Sequence, residues 1–258
     1  AYQVTPRLRV GGGPIVAISA VELNQLQDLS QTAIPNTSLT FAQLGIPFHT
    51  PFANSKLEGS NELGFGANLG VTFEATDWLT LGTRFTTPIT VSYDGEATFS
   101  QIQTGRIVPA DLTQNGQVLI PAGTPIDGLL SPQFSEDGQL SSQAVETELT
   151  FPFQLVGGVS IQATPRLVLL ADYQFTGWSA FDEIPLEFEK LGERTREEGY
   201  ENTHAVRLGV DYEVLEQLSA RAGYVYNTAA APDEAVTPLL PENDRNQFTV
   251  GLGWRPVD

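Results

Sequence analysis

Apolar and polar residues alternate along most of this chain, and the alternation returns at intervals. It is clearest over residues 57–75. There Leu63, Phe65, Ala67, Leu69, Val71 and Phe73 fall on one face, and Gly64, Gly66, Asn68, Gly70, Thr72 and Glu74 on the other. Side chains in a strand alternate faces, so this run predicts a strand with one oily and one wet side. Residues 157–189 hold two such runs joined by a tight turn at 163–166. In the second, Leu167, Leu169, Ala171, Tyr173 and Phe175 oppose Asp172, Gln174 and Thr176. Further strands are predicted over 8–26, 78–99, 143–163, 200–214, 217–228 and 247–255, after a stub at 1–4. Outward sets include Leu79, Leu81 and Phe85, with Arg84 inward, and Leu149, Phe151, Phe153, Leu155, Val159 and Ile161. Val206, Leu208, Val210 and Tyr212 oppose Arg207 and Asp211, and the last strand turns Phe248, Val250, Leu252 and Trp254 outward. Gly11-Gly12-Gly13-Pro14 predicts a bulge or bend inside its strand.

The connections alternate between very short and long. Turns fall near Pro6, Asp77, Pro165 and Glu216, and a weak repeat surrounds them (VTPRLRV, ATDWLTL, ATPRLVL, EVLEQLSA). The longer connections cover 27–54, 101–142, a charged loop at 190–198, and a polar, proline-rich loop at 232–245. All long loops therefore lie at one end. Short turns at one end, long loops at the other and long strands with an apolar outer face describe an all-β, antiparallel transmembrane β-barrel. Phe73, Trp78, Tyr212 and Trp254 lie close to the short turns, as an interfacial girdle should. A soluble sandwich would need the oily faces to meet each other, and would not gather the long loops at one end.

Composition narrows the function. The 258 residues carry 31 Asp+Glu against 13 Lys+Arg, a formal charge of −18, which leaves little to neutralise phosphates and argues against nucleic acid. No cysteine is present, so a thiolate metal site is excluded. No run approaches the ~20 apolar residues of a transmembrane helix. His49 and His204 are the only histidines, no Gly-x-Ser-x-Gly occurs, and the glycines of 64–70 miss the dinucleotide spacing and lie inside a strand. No cofactor or catalytic set is expected. Asn36-Thr37-Ser38 is a formal glycosylation triplet without meaning in a bacterial outer membrane.

Two segments carry a resemblance: Trp178-Ser179-Ala180-Phe181-Asp182-Glu183 and residues 232–241, PDEAVTPLLP. With GFGANLGV, LVGGVSIQ, LLADYQFTGW, VRLGVDYEV and RAGYVYN they resemble the C-terminal half of the FadL-type outer-membrane transporters of long-chain fatty acids and other hydrophobic compounds. The resemblance covers nearly the whole chain. It implies a 14-stranded barrel in a Gram-negative outer membrane, of which about eight strands and a stub are represented here, without the hatch or the first and last strands. It also implies that 27–54 and 101–142 are the loops that form the family's ligand-capturing groove.

On that basis Phe41, Leu44, Ile46, Phe48 and Phe52, with Leu129 and Leu130, are candidates for an apolar landing surface; they could equally pack the loops into a cap. Arg84, Arg207 and Arg221 are candidate lumenal anchors for a carboxylate, expected at similar heights with Asp172 nearby. The alternative, favoured for most of them, is a lumenal ion-pair network with Asp172 and Asp211. Asp182, Glu183, Asp233 and Glu234 could offer hard oxygen ligands to a divalent cation, or be solvated loop carboxylates. The expected partners are a long-chain fatty acid or another hydrophobic small molecule, and outer-membrane lipid or lipopolysaccharide around a monomeric barrel. An aromatic-hydrocarbon importer, a structural or adhesive barrel and an outer-membrane lipid hydrolase are the alternatives. Residues 1–258 alone would leave two unpaired sheet edges, costly in lipid. They are expected not to insert stably, and a heat-modifiable, protease-resistant band from this piece in liposomes would contradict that.

Overall fold

The computed structural model describes every residue except 35, 36, 38, 115, 233–241 and 256–258, and only the backbone at 60, 61 and 114. The strands are β1 (Tyr2–Thr5), β2 (Leu8–Asp28), β3 (Pro51–Glu74), β4 (Leu79–Thr86), β5 (Ile89–Gln101), β6 (Leu112–Gln114), β7 (Gln117–Ile120) and β8 (Gln143–Phe151). Then follow β9 (Gln154–Thr164), β10 (Leu167–Thr176), β11 (Glu183–Phe188), β12 (Gly192–Glu197), β13 (Thr203–Leu215), β14 (Leu218–Asn227) and β15 (Arg245–Trp254). One helix, α1 (Ile126–Leu130), lies in a loop. No described helix is long and apolar enough to cross a membrane.

Apart from the β6–β7 hairpin, all strands join one 13-stranded antiparallel sheet. β4 with β5, β8 with β9, β10 with β11 and β12 with β13 follow one another as lower and upper parts of single long strands. So joined, the segments make eight strands and a stub, as the alternation predicts. The tight turns at Pro6, Pro165 and Glu216 leave two residues between paired strands, as in Thr5 opposite Leu8 and Leu215 opposite Leu218. Several local expectations fail. The sheet runs through Gly11–Gly13 without a register shift. Residues 192–197 are strand, not loop. The predicted strand over 78–99 breaks between β4 and β5.

In the lower half, next to the short turns, the oily face is bare. Phe65 is 68 % exposed, Leu69 60 % and Val250 90 %. A transmembrane strand needs about 9–11 residues, and β10, β14 and β15 have 10 each. Aromatic rings mark the top of this band: Phe85 meets Phe153 at 6.1 Å, and Phe153 meets Phe175 at 5.7 Å. The other face carries glycine, threonine and charge, and it walls the lumen.

Above this band the faces exchange. In β5, Val91, Tyr93 and Ala97 are buried, whereas Ser92, Asp94, Glu96 and Thr98 are exposed. The cause is a count of residues. Ser19 of β2 opposes Glu62, but Val21 opposes Gly59, so residues 60 and 61 stand against Ala20 alone. This bulge moves every residue of β3 above it to the opposite face. The neighbouring strands match it. Asn68–Thr86 and Glu58–Glu96 keep one register, so the β4–β5 strand absorbs its extra residue at Thr87-Pro88. Thr86–Gln154 and Ile89–Phe151 likewise place a third at Pro152-Phe153. Proline has no N–H to give a ladder, so both breaks fall where pairing is interrupted anyway. Contacts confirm the exchange. A Cβ on lumenal Gly64 would come within 2.6 Å of Ile89 Cγ2 and 2.7 Å of Val91 Cγ2. Leu149, expected outward with Leu155, therefore faces inward.

The loops above are held by a core of their own. Leu29, Ile34, Phe41, Ile46, Phe52, Val108, Ile126 and Leu130 are buried together, with Leu44 and Leu129 packed against them. Phe41–Leu44 forms a 3-10 turn, closed by Gly45 at φ 82°, a conformation that favours glycine. Asp127 pins the second loop. Its carboxylate accepts the N–H (2.9 Å) and hydroxyl (2.7 Å) of Thr104 and the N–H of Gly105 (2.9 Å).

Two predictions follow from the residue count and from the pin. Deleting residue 61 from the full-length protein turns the upper part of β3 inside out, and is expected to abolish the heat-modifiable folded band on a gel. At Asp127, burial works to raise the carboxyl, but the bonds from Thr104 and Gly105 outweigh it and hold it below its usual value. A depressed carboxyl stabilises above its unfolded pKa of about 3.9 and loses this as pH falls through the folded value. Hydrogen-exchange protection of the Thr104 and Gly105 amides should hold at pH 5 and fall below about pH 4. Asp127→Asn should lower it at pH 5 as well.

Candidate functional site

Two cavities carry the chemistry that the strands and loops can offer. The upper one is a groove of about 860 Å³ between the two loops. Leu119, Ile120, Leu129 and Pro132 give it an apolar wall, with Thr37, Gln133, Asp137 and Gln139 at its polar edge. It rests on the buried loop core, so its shape is fixed by packing rather than by solvated backbone.

The structure divides the seven predicted landing residues. Phe41, Ile46, Phe52 and Leu130 are interior members of the core, and Leu44 packs against it. Leu129 packs there too and also lines the groove. Phe48 is 61 % exposed and stands beside His49, with ring centroids 4.1 Å apart. Leu119 and Ile120 belong to the groove and are missing from the predicted set. The apolar run Val118-Leu119-Ile120 signalled them: a strand of this oiliness in an exposed loop needs a partner surface.

The lower cavity lies in the lumen wall and measures about 710 Å³. Glycines 11, 70, 82 and 158 leave its floor bare, and Arg9, Arg84, Asp172 and Arg207 reach into it. Most of these charges are paired. Arg9 holds Glu74 at 2.7 Å, and Arg207 holds Asp172 at 2.8 Å while also donating to Gln174. Arg221 holds Asp211 at 2.7 Å and belongs to a different depression. Among the described residues no carboxylate pairs with Arg84. The three arginines do not share one level. Arg84 opposes Gly70 and Val156, Arg207 opposes Asp172, and Arg221 opposes Asp211, which are three different rows of the sheet. Solvent-reached pairs of this kind are worth about 0–1 kcal/mol, so a ligand carboxylate can compete for them.

The Trp178–Glu183 segment acts on the fold. The Trp178 and Tyr200 rings lie 5.9 Å apart and those of Phe181 and Tyr200 5.2 Å. The Asp182 carbonyl accepts N–H bonds from Glu198 (2.7 Å) and Gly199 (2.8 Å). Together they clamp the place where the chain passes from β10 to β11 and returns from β12 to β13. Among the described residues no group of three or more His, Asp or Glu side chains is placed to hold a metal ion. Asp233, Glu234 and the rest of the 233–241 motif lie outside the described residues, as do Asn36 and Ser38 of the triplet.

Known proteins share this architecture. Outer membrane protein P1 of Haemophilus influenzae is 25 % identical over 267 residues, covering 99 % of this chain and 50 % of its own length. The long-chain fatty acid transport protein of Escherichia coli O6:H1 is 21 % identical over 215 residues, covering 83 % and 44 %. The chain thus spans about half the length of the curated relatives it matches. Among solved structures, a Pseudomonas aeruginosa FadL homologue superposes with a TM-score of 0.75 at 20 % identity, over 99 % of this chain and 54 % of that one. The TodX monoaromatic hydrocarbon channel, in a deltaS2 mutant, gives 0.64 at 19 % identity over 99 % and 59 %. The model of the outer membrane protein transport protein family (OMPP1/FadL/TodX) matches residues 1–258, and the chain, an outer-membrane β-barrel wall, belongs to that family.

Proposed function

We propose that this chain supplies the capturing loops and part of the conducting wall of a passive channel for hydrophobic molecules, with long-chain fatty acids as its substrates. The groove of about 860 Å³ on a packed loop core carries the proposal. A fully buried leucine-sized contact is worth about 1.5–3 kcal/mol, so an alkyl chain laid along Leu119, Ile120 and Leu129 is held without any polar bond. Arg84 supports the fatty-acid reading. It reaches into the lower cavity without a carboxylate partner among the described residues, and a guanidinium grips a carboxylate at two points. The name of the Escherichia coli relative points the same way. A monoaromatic hydrocarbon is the second reading, favoured by the printed name of the TodX structure and by a groove whose lining holds no cation. The barrel is read as a monomer set among outer-membrane lipid and lipopolysaccharide.

Uptake of labelled oleate and labelled toluene tests this, in cells that lack their own importers and carry the full-length protein. Folding is checked by heat-modifiability. Oleate should accumulate, and Leu119→Asp with Leu129→Asp should cut its uptake about tenfold or more. Arg84→Gln should lower oleate uptake, by about 10-fold if one charged hydrogen bond is lost, and leave toluene unchanged. Toluene uptake without oleate would favour the second reading. A folded barrel that takes up neither would turn the role to a surface structure.

A further inference from the structure

The two sides of the upper groove are fastened separately. Its apolar side follows α1, and Asp127 pins that helix to Thr104 and Gly105 near the start of the loop. The Gln101 side chain adds a bond to the Asp127 carbonyl at 2.8 Å. Its polar edge comes from the turn at 135–141, which carries Asp137 and Gln139. This turn closes tightly on the helical stretch before it. Leu140 N–H donates to the Gln133 carbonyl at 2.7 Å, and a Cβ on Gly138 would come within 2.1 Å of that oxygen. The remaining hold comes from the wall. Gln143, the first residue of β8, is buried, and its side-chain amide uses both donors and both acceptor positions. Nε2 donates to the carbonyls of Gln139 (2.7 Å) and Ser141 (3.3 Å). Oε1 accepts the backbone N–H of Lys190 (2.8 Å) and of Leu191 (3.2 Å), at the tip between β11 and β12. From that tip the Lys190 ammonium reaches back and donates to the Glu136 carbonyl and the Ser141 hydroxyl, both at 2.7 Å. One amide thus joins three stretches of backbone, and one ammonium brackets residues 137–139, which border the groove.

We propose that Gln143 and Lys190 are positioning residues for ligand capture: they hold the polar edge against the apolar side and so set the width of the groove from the wall. The proposal rests on the uptake reading above. Neither residue lines the groove, so each acts through the turn and not on the ligand. The turn needs such a hold because it buries little of its own. Ser135, Glu136, Asp137 and Gln139 are exposed, and only Phe134 and Leu140 at its ends pack against the loop core. A segment with few buried contacts opens locally unless hydrogen bonds retain it. Width matters because dispersion is short-ranged: a gap of about 0.5–1 Å forfeits a quarter to a half of each contact with an alkyl chain. The charge on Lys190 strengthens its two bonds relative to neutral ones. Gln143 has no isosteric substitute. Glutamate keeps the two acceptor positions and loses both donors, and leucine loses all four bonds.

Uptake of labelled oleate over a range of concentrations tests this, in cells that carry the full-length protein, with folding checked by heat-modifiability. Lys190→Met should raise the half-saturating concentration about three- to tenfold and leave the maximal rate unchanged, because the wall below the groove is intact. Lys190→Arg, which can donate to the same two oxygens, should restore most of the difference. Gln143→Glu should act as Lys190→Met does. Hydrogen exchange reads the tether independently of transport: protection of the Gly138, Leu140 and Ser141 amides should fall in Lys190→Met. Faster exchange there with an unchanged half-saturation would show a tether with no part in capture and overturn the proposal. Unchanged exchange, or a fall in maximal rate alone, would overturn it as well, and in each case the uptake reading stands. If toluene enters and oleate does not, the same comparison is made with toluene. Entry of neither through a folded barrel would remove the uptake reading and the proposal with it. Should Gln143→Glu fail to fold, the two variants at Lys190, an exposed position, decide alone.

Discussion

A strand that keeps one alternation of oily and wet residues can exchange its faces only by changing its residue count. This constraint organises the molecule. Below the bulge at residues 60 and 61, alternation turns leucine, valine and phenylalanine toward lipid, and glycine, threonine and arginine toward the lumen. Above it the same alternation, displaced by one residue, does the reverse. β4–β5 and β8–β9 keep the register of β3 and carry an extra residue with it, whereas β2, on the other side of β3, carries none. β3 uses a bulge, and the next two strands on one side, β4–β5 and β8–β9, use Thr87-Pro88 and Pro152-Phe153. The height at which these events line up is the height at which the wall stops facing lipid.

The outer face above that line is committed to water. Glu22 opposes Glu58, which opposes Glu96, and Asp94, Glu146, Glu187 and Glu193 form a second row across four strands. Like charges placed directly opposite destabilise by about 0.2–1 kcal/mol per pair. Lys56 offsets only the first row. These rows persist because the inner face contributes more: Val91, Tyr93, Ala97, Val145 and Ile184 are all buried there. The acidic collar and the buried apolar face are two sides of the same strands.

Much of this was legible in the sequence. The lower strands were, because a lipid-facing strand shows unbroken alternation, as residues 63–73 do. The tight turns and the two long loops were legible from proline, glycine and polar clusters. The exchange was not. A bulge adds a residue without adding any special residue type, and Leu149 fits the outward series of Leu155, Val159 and Ile161 when counted in steps of two. The prolines at 88 and 152 were visible, but only pairing shows that they stand opposite each other. The candidate site was half legible. Oily residues in a loop announce burial, yet whether a ligand or another loop provides it depends on contacts between 29–50 and 102–142, which lie far apart in sequence. For Arg84, Arg207 and Arg221 the inward face was readable, but row and partner depend on strand register.

The counting rule also bears on how such a wall can vary in length. Two residues added to an upper strand shift the collar by one pleat and leave inside and outside as they were. One residue added turns that strand's lining outward from that point to its end. Tolerated length changes in this part of the wall therefore come in pairs along one strand, or as single residues added together to adjacent strands. The three extra residues seen here are a set of the second kind, and loops, which have no faces to preserve, escape the rule.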